Sequence, residues 1–322
     1  MFLKHKHTLH ANNKVRALAT VTASSPKKAK LYIGVGEVQE YDLLTMTMSG
    51  CSNSGKQYGC VYSLLAVHEQ NLILAGRHSG SIDAIDTRTL SIAFQLQNGH
   101  HDVVRCMAMQ NSEHSPLFSG SYDGTIAQWD LQNRTQINEN SIPQYKCAIN
   151  SIVVPHNNCL YTASALGITK HCHKSTKTWG TKDEILSLCG TANVVHNCDT
   201  TLLRLFSSSK DGSVRVYDCT MVNEQDNDAD IAMTMELVPK HSAAVTCSAL
   251  NNKKKHDDDK MIATGSADKT VKIWNSSYPY LIAETVTTHQ QPIRSIAWLL
   301  DSVVITGSQD GSIDIHKLLI SQ

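Results

Sequence analysis

The stretch Ser119-Gly120-Ser121-Tyr122-Asp123-Gly124-Thr125-Ile126-Ala127-Gln128-Trp129-Asp130 decides how the 322 residues are read. An Asp-Gly pair sits between two short runs of β-forming residues, a strong local signal for a hairpin. The pattern recurs. Counting back 44 residues from Trp129-Asp130 reaches Ile85-Asp86, and another 44 reaches Tyr41-Asp42. Further on, Tyr217-Asp218 follows Ser207-Ser208-Ser209-Lys210-Asp211-Gly212-Ser213, and Trp274-Asn275 follows Thr264-Gly265-Ser266-Ala267-Asp268-Lys269-Thr270. His316 closes the run Thr306-Gly307-Ser308-Gln309-Asp310-Gly311-Ser312. A degenerate copy, Thr162-Ala163-Ser164-Ala165-Leu166-Gly167, leads on to Cys172. The equivalent positions are 41, 85, 129, 172, 217, 274 and 316, so seven copies fit.

About 15 to 20 residues upstream of each hairpin lies another alternating run, such as Val104-Arg105-Cys106-Met107, Ile149-Asn150-Ser151-Ile152, Val245-Thr246-Cys247-Ser248 or Ile293-Arg294-Ser295-Ile296. With a fourth strand after the hairpin, each unit becomes a four-stranded antiparallel sheet. A sheet of that size has two faces to bury and open edges, and closing seven around an axis answers both needs. The Gly-His … Ser-Gly-Ser-x-Asp-Gly-Thr … Trp-Asp pattern resembles the WD40-repeat β-propellers over essentially the whole chain. It is strongest in copies three and six and weakest in one, two and four. The resemblance implies an all-β, seven-bladed WD40 β-propeller in which residues 1–322 form a single domain. The chain ends at Gln322, soon after the third strand of the last unit, so residues 1–10 are expected to complete blade seven as its outer strand. Two polar insertions, roughly 219–235 and 251–260, read as exposed loops beside blade six.

Composition narrows the function classes. Lys+Arg and Asp+Glu are equal at 29 each, and this zero net charge removes any global electrostatic case for nucleic acid or an anionic membrane. No apolar run approaches the ~18 residues of a membrane span, and the N-terminus lacks the apolar stretch and cleavage site of a signal peptide. The ten cysteines show no framework spacing, so reduced thiols in cytosol or nucleus are expected. Length alone allows about two domains, but large all-β folds exceed that rule.

Ser, His and Asp recur together, which raises the question of a hydrolase. Copy three carries His100, Ser119, Asp123 and Trp129 at the offsets where copy six carries His241, Thr264, Asp268 and Trp274. Copy seven has His289, Thr306 and Asp310, with His316 at the tryptophan position. Recurrence in separate blades, twice with Thr, argues for a structural network rather than catalysis, and no G-x-S-x-G elbow occurs. In the resembling family these groups form a buried hydrogen-bond chain. Copies two and four lack it, with Ala75 and Ser79, and with Leu166 and Cys172, at its positions, so those blades are expected to be looser. His5, His7 and His10, and His171 with His173, could be metal ligands, but no further ligand stands at a telling distance and strand-surface polarity explains them. Lys253-Lys254-Lys255 runs straight into Asp257-Asp258-Asp259, a self-neutralising loop. No phosphate loop, paired-carboxylate site or dinucleotide fingerprint appears, so no cofactor, metal or enzyme activity is expected.

The candidate site comes from ring geometry. The residue after the first apolar residue of each inner strand is Arg16, Tyr62, Arg105, Asn150, Leu186, Thr246 and Arg294 in turn. The residue before each turn Asp, or its equivalent, includes His78, Tyr122, Lys210, Ala267 and Gln309. Arg16, Arg105 and Arg294 should converge on one channel mouth, with Tyr62, His78, Tyr122, Lys210 and Gln309 around it. Val104-Arg105-Cys106-Met107 is similar to the corresponding strand in substrate-binding propellers of F-box ubiquitin-ligase adaptors, whose arginine grips phosphorylated or acidic peptides. Only about ten residues precede the first blade, so an F-box is not expected and a ligase link would run through a separate partner. The expected function is a non-enzymatic scaffold for protein–protein assembly. The alternatives are a reader of phosphorylated or acidic peptides and a subunit of an RNA-processing or ribosome-assembly complex.

Overall fold

The structure is a computed structural model that describes residues 2–11, 13–21, 29–52, 59–110, 115–137, 144–155, 159–172, 175–195, 200–221, 231–251, 260–276, 281–299 and 302–319. Every regular element in these residues is a β-strand, and no helix is long and apolar enough to cross a membrane. The strands form seven four-stranded antiparallel sheets. Their inner strands are Ala17–Val21, Val61–Val67, Val104–Met109, Ile149–Val153, Ile185–Val195, Val245–Leu250 and Ile293–Leu299. Each inner strand packs against the next, and the first packs against the seventh, so the sheets close into a propeller.

The Ser-Gly-Ser motif explains part of the fit between blades. In the second strand of blade three, a Cβ on Gly120 would lie 2.6 Å from Ile149 Cγ2, the first apolar residue of the next inner strand. Across the seam, a Cβ on Gly307 would lie 2.4 Å from Val15 Cγ1. The absent side chain leaves a slot for the neighbour's branched one, and Val15 and Ile149 are fully buried in these slots.

The seventh sheet is completed by Phe2–His10. It pairs antiparallel with Ser312–Leu319, from Phe2 opposite Leu319 to His10 opposite Ser312, with one irregularity between His5 and His7. Leu3 and Leu9 alternate inward and join the cores on either side of this blade. The closing strand was therefore legible from the pattern.

Blade five is taller than its neighbours. Its first two strands, Ile185–Val195 and Thr200–Ser209, pair over ten positions. The insertion read at 219–235 is smaller, because strands reach Met221 and resume at Ala232. Residues 222–230 and 252–259, and His173, lie outside the described residues.

Three expectations need correction. Leu160 pairs with His171, as Leu117 pairs with Trp129, so the tryptophan position of blade four is held by His171 and not by Cys172. Cys172 instead stands across from Cys159, at a Cα separation of 4.7 Å, and the two form a disulfide. Cross-strand proximity brought them together, and linear spacing does not reveal strand register. Blades two and four are also not left without polar ties. In blade two the Arg77 guanidinium donates to Asp83 Oδ2 at 2.8 Å, with both side chains fully buried, and to the carbonyls of Gly36 and Gly59. In blade four, His171 Nε2 lies 3.2 Å from Thr162 Oγ1 and 3.0 Å from the Tyr145 hydroxyl.

Candidate functional site: an arginine-lined channel mouth

At the start of six inner strands the pairing register slips by one residue. The breaks fall between Val61 and Ser63, Val104 and Cys106, Ile149 and Ser151, Ile185 and Ser187, Val245 and Cys247, and Ile293 and Ser295. The residue skipped each time is Tyr62, Arg105, Asn150, Leu186, Thr246 or Arg294. A β-bulge leaves its extra residue unpaired and re-aims that side chain. Arg16 holds the equivalent place in blade one, immediately before the Ala17–Gly34 pair. All seven residues line one cavity of about 430 Å³.

The cavity is cationic on one side. Lys14 and Arg16 of blade one, Arg105 of blade three and Arg294 of blade seven line it, and no Asp or Glu is among its described lining residues. Arg16 lies over the Tyr62 ring, with Cζ 4.8 Å from the ring centre, and its Nη1 is buried without a hydrogen-bond partner. Arg105 lies over the Tyr122 ring at 4.9 Å and its Nη1 donates to the Tyr122 hydroxyl. Arg294 donates to Gln309 Oε1 from Nη2 at 2.9 Å. Stacking on an aromatic face holds a guanidinium in place while leaving edge donors for an anion.

Two other ring members also bond across the blade joints. Asn150 donates to Glu184 Oε1 at 3.0 Å and to the Ile185 carbonyl at 2.8 Å. Thr246 donates to the Ile293 carbonyl at 2.5 Å. Lys210 is not at the cavity wall: its ammonium pairs with Glu184 at 3.6 Å. His78 stands behind the wall, its ring 6.0 Å from that of Tyr62. Tyr122 and Gln309 reach the cavity. Lys14 lines it too and was missed, because it lies before the first strand rather than at a repeated position.

The Ser/His/Asp constellation forms a relay of buried hydrogen bonds. The Trp129 indole donates to Ser119 Oγ at 2.8 Å, and Ser119 Oγ lies 2.6 Å from His100 Nε2. His100 Nδ1 lies 2.6 Å from Thr125 Oγ1, which donates to Asp123 Oδ1 at 2.5 Å. Indole only donates and carboxylate only accepts, so every proton in the chain points from Trp129 toward Asp123. Burial pulls the His100 pKa down to about 4 despite Asp123, so the ring is neutral, as the relay needs. Blade six repeats the relay through Trp274, Thr264, His241, Thr270 and Asp268. Blade seven runs it from Thr306 through His289 and Ser312 to Asp310. Thr125, Thr270 and Ser312 are members that sequence reasoning overlooked, although the third residue of Asp-Gly-Thr was their signal. Among the described residues no group of three His, Cys, Asp or Glu side chains has the arrangement of a metal site.

Seven closed sheets of this construction define a β-propeller, and comparison with known proteins gives its kind. Residues 3–225 match the family model described as LRRK2 beta propeller, and residues 234–275 and 282–316 match the WD domain, G-beta repeat. The chain belongs to the WD40-type β-propeller family. The WD40 domain of Doa1 superposes over 98% of this chain and 96% of its own, with a TM-score of 0.75 at 19% identity, which bears on the fold alone. WD repeat-containing protein 1 of Xenopus tropicalis is 27% identical over 113 residues, 35% of this chain and 17% of that protein. The Denticleless protein homolog of Gallus gallus is 22% identical over 250 residues, 74% of this chain and 29% of its own length. The ribosome biogenesis protein YTM1 of Phaeosphaeria nodorum is 37% identical over 75 residues, 23% of this chain and 16% of its own length. The chain thus spans less than a third of each of these curated relatives. The family is one of protein-interaction scaffolds and is generally non-enzymatic.

Proposed function

We propose that this chain is a rigid, non-enzymatic scaffold that docks partner proteins over the channel mouth. Arg16, Arg105 and Arg294 receive an acidic or phosphorylated segment. The observation that carries this reading is the composition of the cavity wall: four cations and, among its described residues, no carboxylate. Bulges set Arg105 and Arg294, and Arg16 and Arg105 rest on tyrosine rings, so anion capture needs little reorganisation. The propeller acts as one unit over the whole ring, in the cytosol or nucleus.

An array of phosphoserine- and glutamate-centred peptides tests the site. Arg105→Glu should reduce capture at least tenfold at unchanged thermal stability, and capture that persists in that variant overturns the docking role. The YTM1 match supports a second reading, a subunit of a ribosome-assembly particle held there by protein contacts. Co-purification from native cells separates the two.

A further inference from the structure

Blade seven differs from blades three and six in what it buries at the tryptophan position. His316 is fully buried, and neither of its ring nitrogens has a hydrogen-bond partner. An imidazole so placed pays for desolvation with no compensating bond. It sits opposite His5 of the closing strand, with ring centres 5.6 Å apart. Both belong to a cluster around Asp314, whose side chain is fully buried. His5 Nε2 lies 3.6 Å, His289 Nε2 3.9 Å and His316 Nε2 4.0 Å from the Asp314 carboxylate. That carboxylate also ties the closing strand to the blade, accepting from Thr8 Oγ1 at 2.8 Å and from Thr288 N and Oγ1 at 2.7 Å.

We propose that this histidine cluster makes blade seven a pH-sensitive latch, in which mild acid releases Phe2–His10 from Ser312–Leu319 before the other blades loosen. The closing strand is the outermost of its sheet and is paired along one edge only, so it can open while the other three strands keep their pairing. Opening uncovers His316, and a solvated imidazole takes a proton that the buried one refuses. Burial pulls His316 down to about 4 against the opposing field of Asp314, and lowers His289 as well. A histidine depressed in the closed form stabilises closure above its released pKa of ~6.5, and that stability is lost as pH falls toward the closed-form value. The other ionisable groups packed around the cluster are few. The second strand of the blade, Val303–Ser308, has no ionisable residue. Arg294 of the inner strand faces the mouth. Asp310 acts on His289 but is engaged by Ser312 and the backbone of Gln290. On the packed outer strand of blade six, Leu281–Val286, the ionisable side chain is Glu284, 3.5 Å from Lys272. Lys4, Lys6, His7, His10 and Lys317 of the closing pair are exposed.

Hydrogen exchange on the intact chain, corrected for the intrinsic pH dependence of exchange, tests the latch. The reference is Leu72–Arg77 of blade two, which carries no buried histidine. Between pH 7.5 and 5.5, one imidazole released from about 4 to ~6.5 lowers protection of Phe2–His10 about tenfold, while the reference changes little. His316→Trp, which installs the residue found in blades three and six, should remove most of that fall. His316→Leu provides the same reading if the indole does not fit. Equal loss in both strands, no loss in the closing strand, or a tenfold fall retained in both variants would each overturn the latch.

Discussion

At the residue scale, the relay in blade six turns on one carboxylate. Burial raises the pKa of Asp268, but hydrogen bonds from His241 and Thr270 outweigh it and hold the carboxyl well below its usual range. It also accepts from the Ser242 backbone at 2.8 Å. Asp268→Ala strips the acceptor from the relay and from the Ser242 and Thr270 backbone groups that it ties, so it should cost about 2–3 kcal/mol of stability. Thermal unfolding measures this, and an unchanged midpoint would remove the structural role of the relay. His100, Ser119, Asp123 and Trp129 were legible because their spacing repeats in blade six. Their linking hydroxyl was not, since Thr125 reads as an ordinary hairpin residue until its Oγ1 is seen between imidazole and carboxylate. Arg16, Arg105 and Arg294 were legible as a set from position alone. The bulges that aim Arg105 and Arg294 were not, because a one-residue slip is a property of two strands together.

Single blades show how the fold tolerates loss of its signature. Blade two replaced the relay with a salt bridge between Arg77 and Asp83, further fixed by Gln95 Nε2 donating to Asp83 Oδ1 at 2.7 Å. Arg77 also reaches the Gly36 carbonyl of blade one at 2.9 Å, so the pair joins two blades. Arg77→Ala strands a fully buried carboxylate and should destabilise the chain by about 3–5 kcal/mol. A double replacement with Met and Leu should recover most of the loss, because it removes both charges from the interior. Chemical denaturation of the three forms decides, and a double variant no better than the single one would show that the carbonyl contacts matter more than the charge pair. This substitution was hidden in the sequence because Arg77 and Asp83 fall at positions where the repeat has Ser121 and Ala127.

For the whole molecule, closure is the step on which the ring depends. Removing residues 2–10 would bare one edge of Ser312–Leu319 and take Leu3 and Leu9 from two cores. Such a chain should unfold at lower temperature, with a broadened transition, and self-associate through the open edge. Calorimetry and size-exclusion chromatography would show it; a monomer with the full-length transition would mean the ring is held by its other six sheets alone.

The order of pairing in that last sheet has a mechanical consequence. Phe2 faces Leu319 and His10 faces Ser312, so segments attached beyond residues 2 and 319 leave the ladder from the same end. Tension between them would peel its bonds one after another, like a zip, rather than shear them all at once. An assembly that grips the propeller from both sides of that seam could undo it at low force, whereas a load borne by any other wedge would meet an unbroken chain.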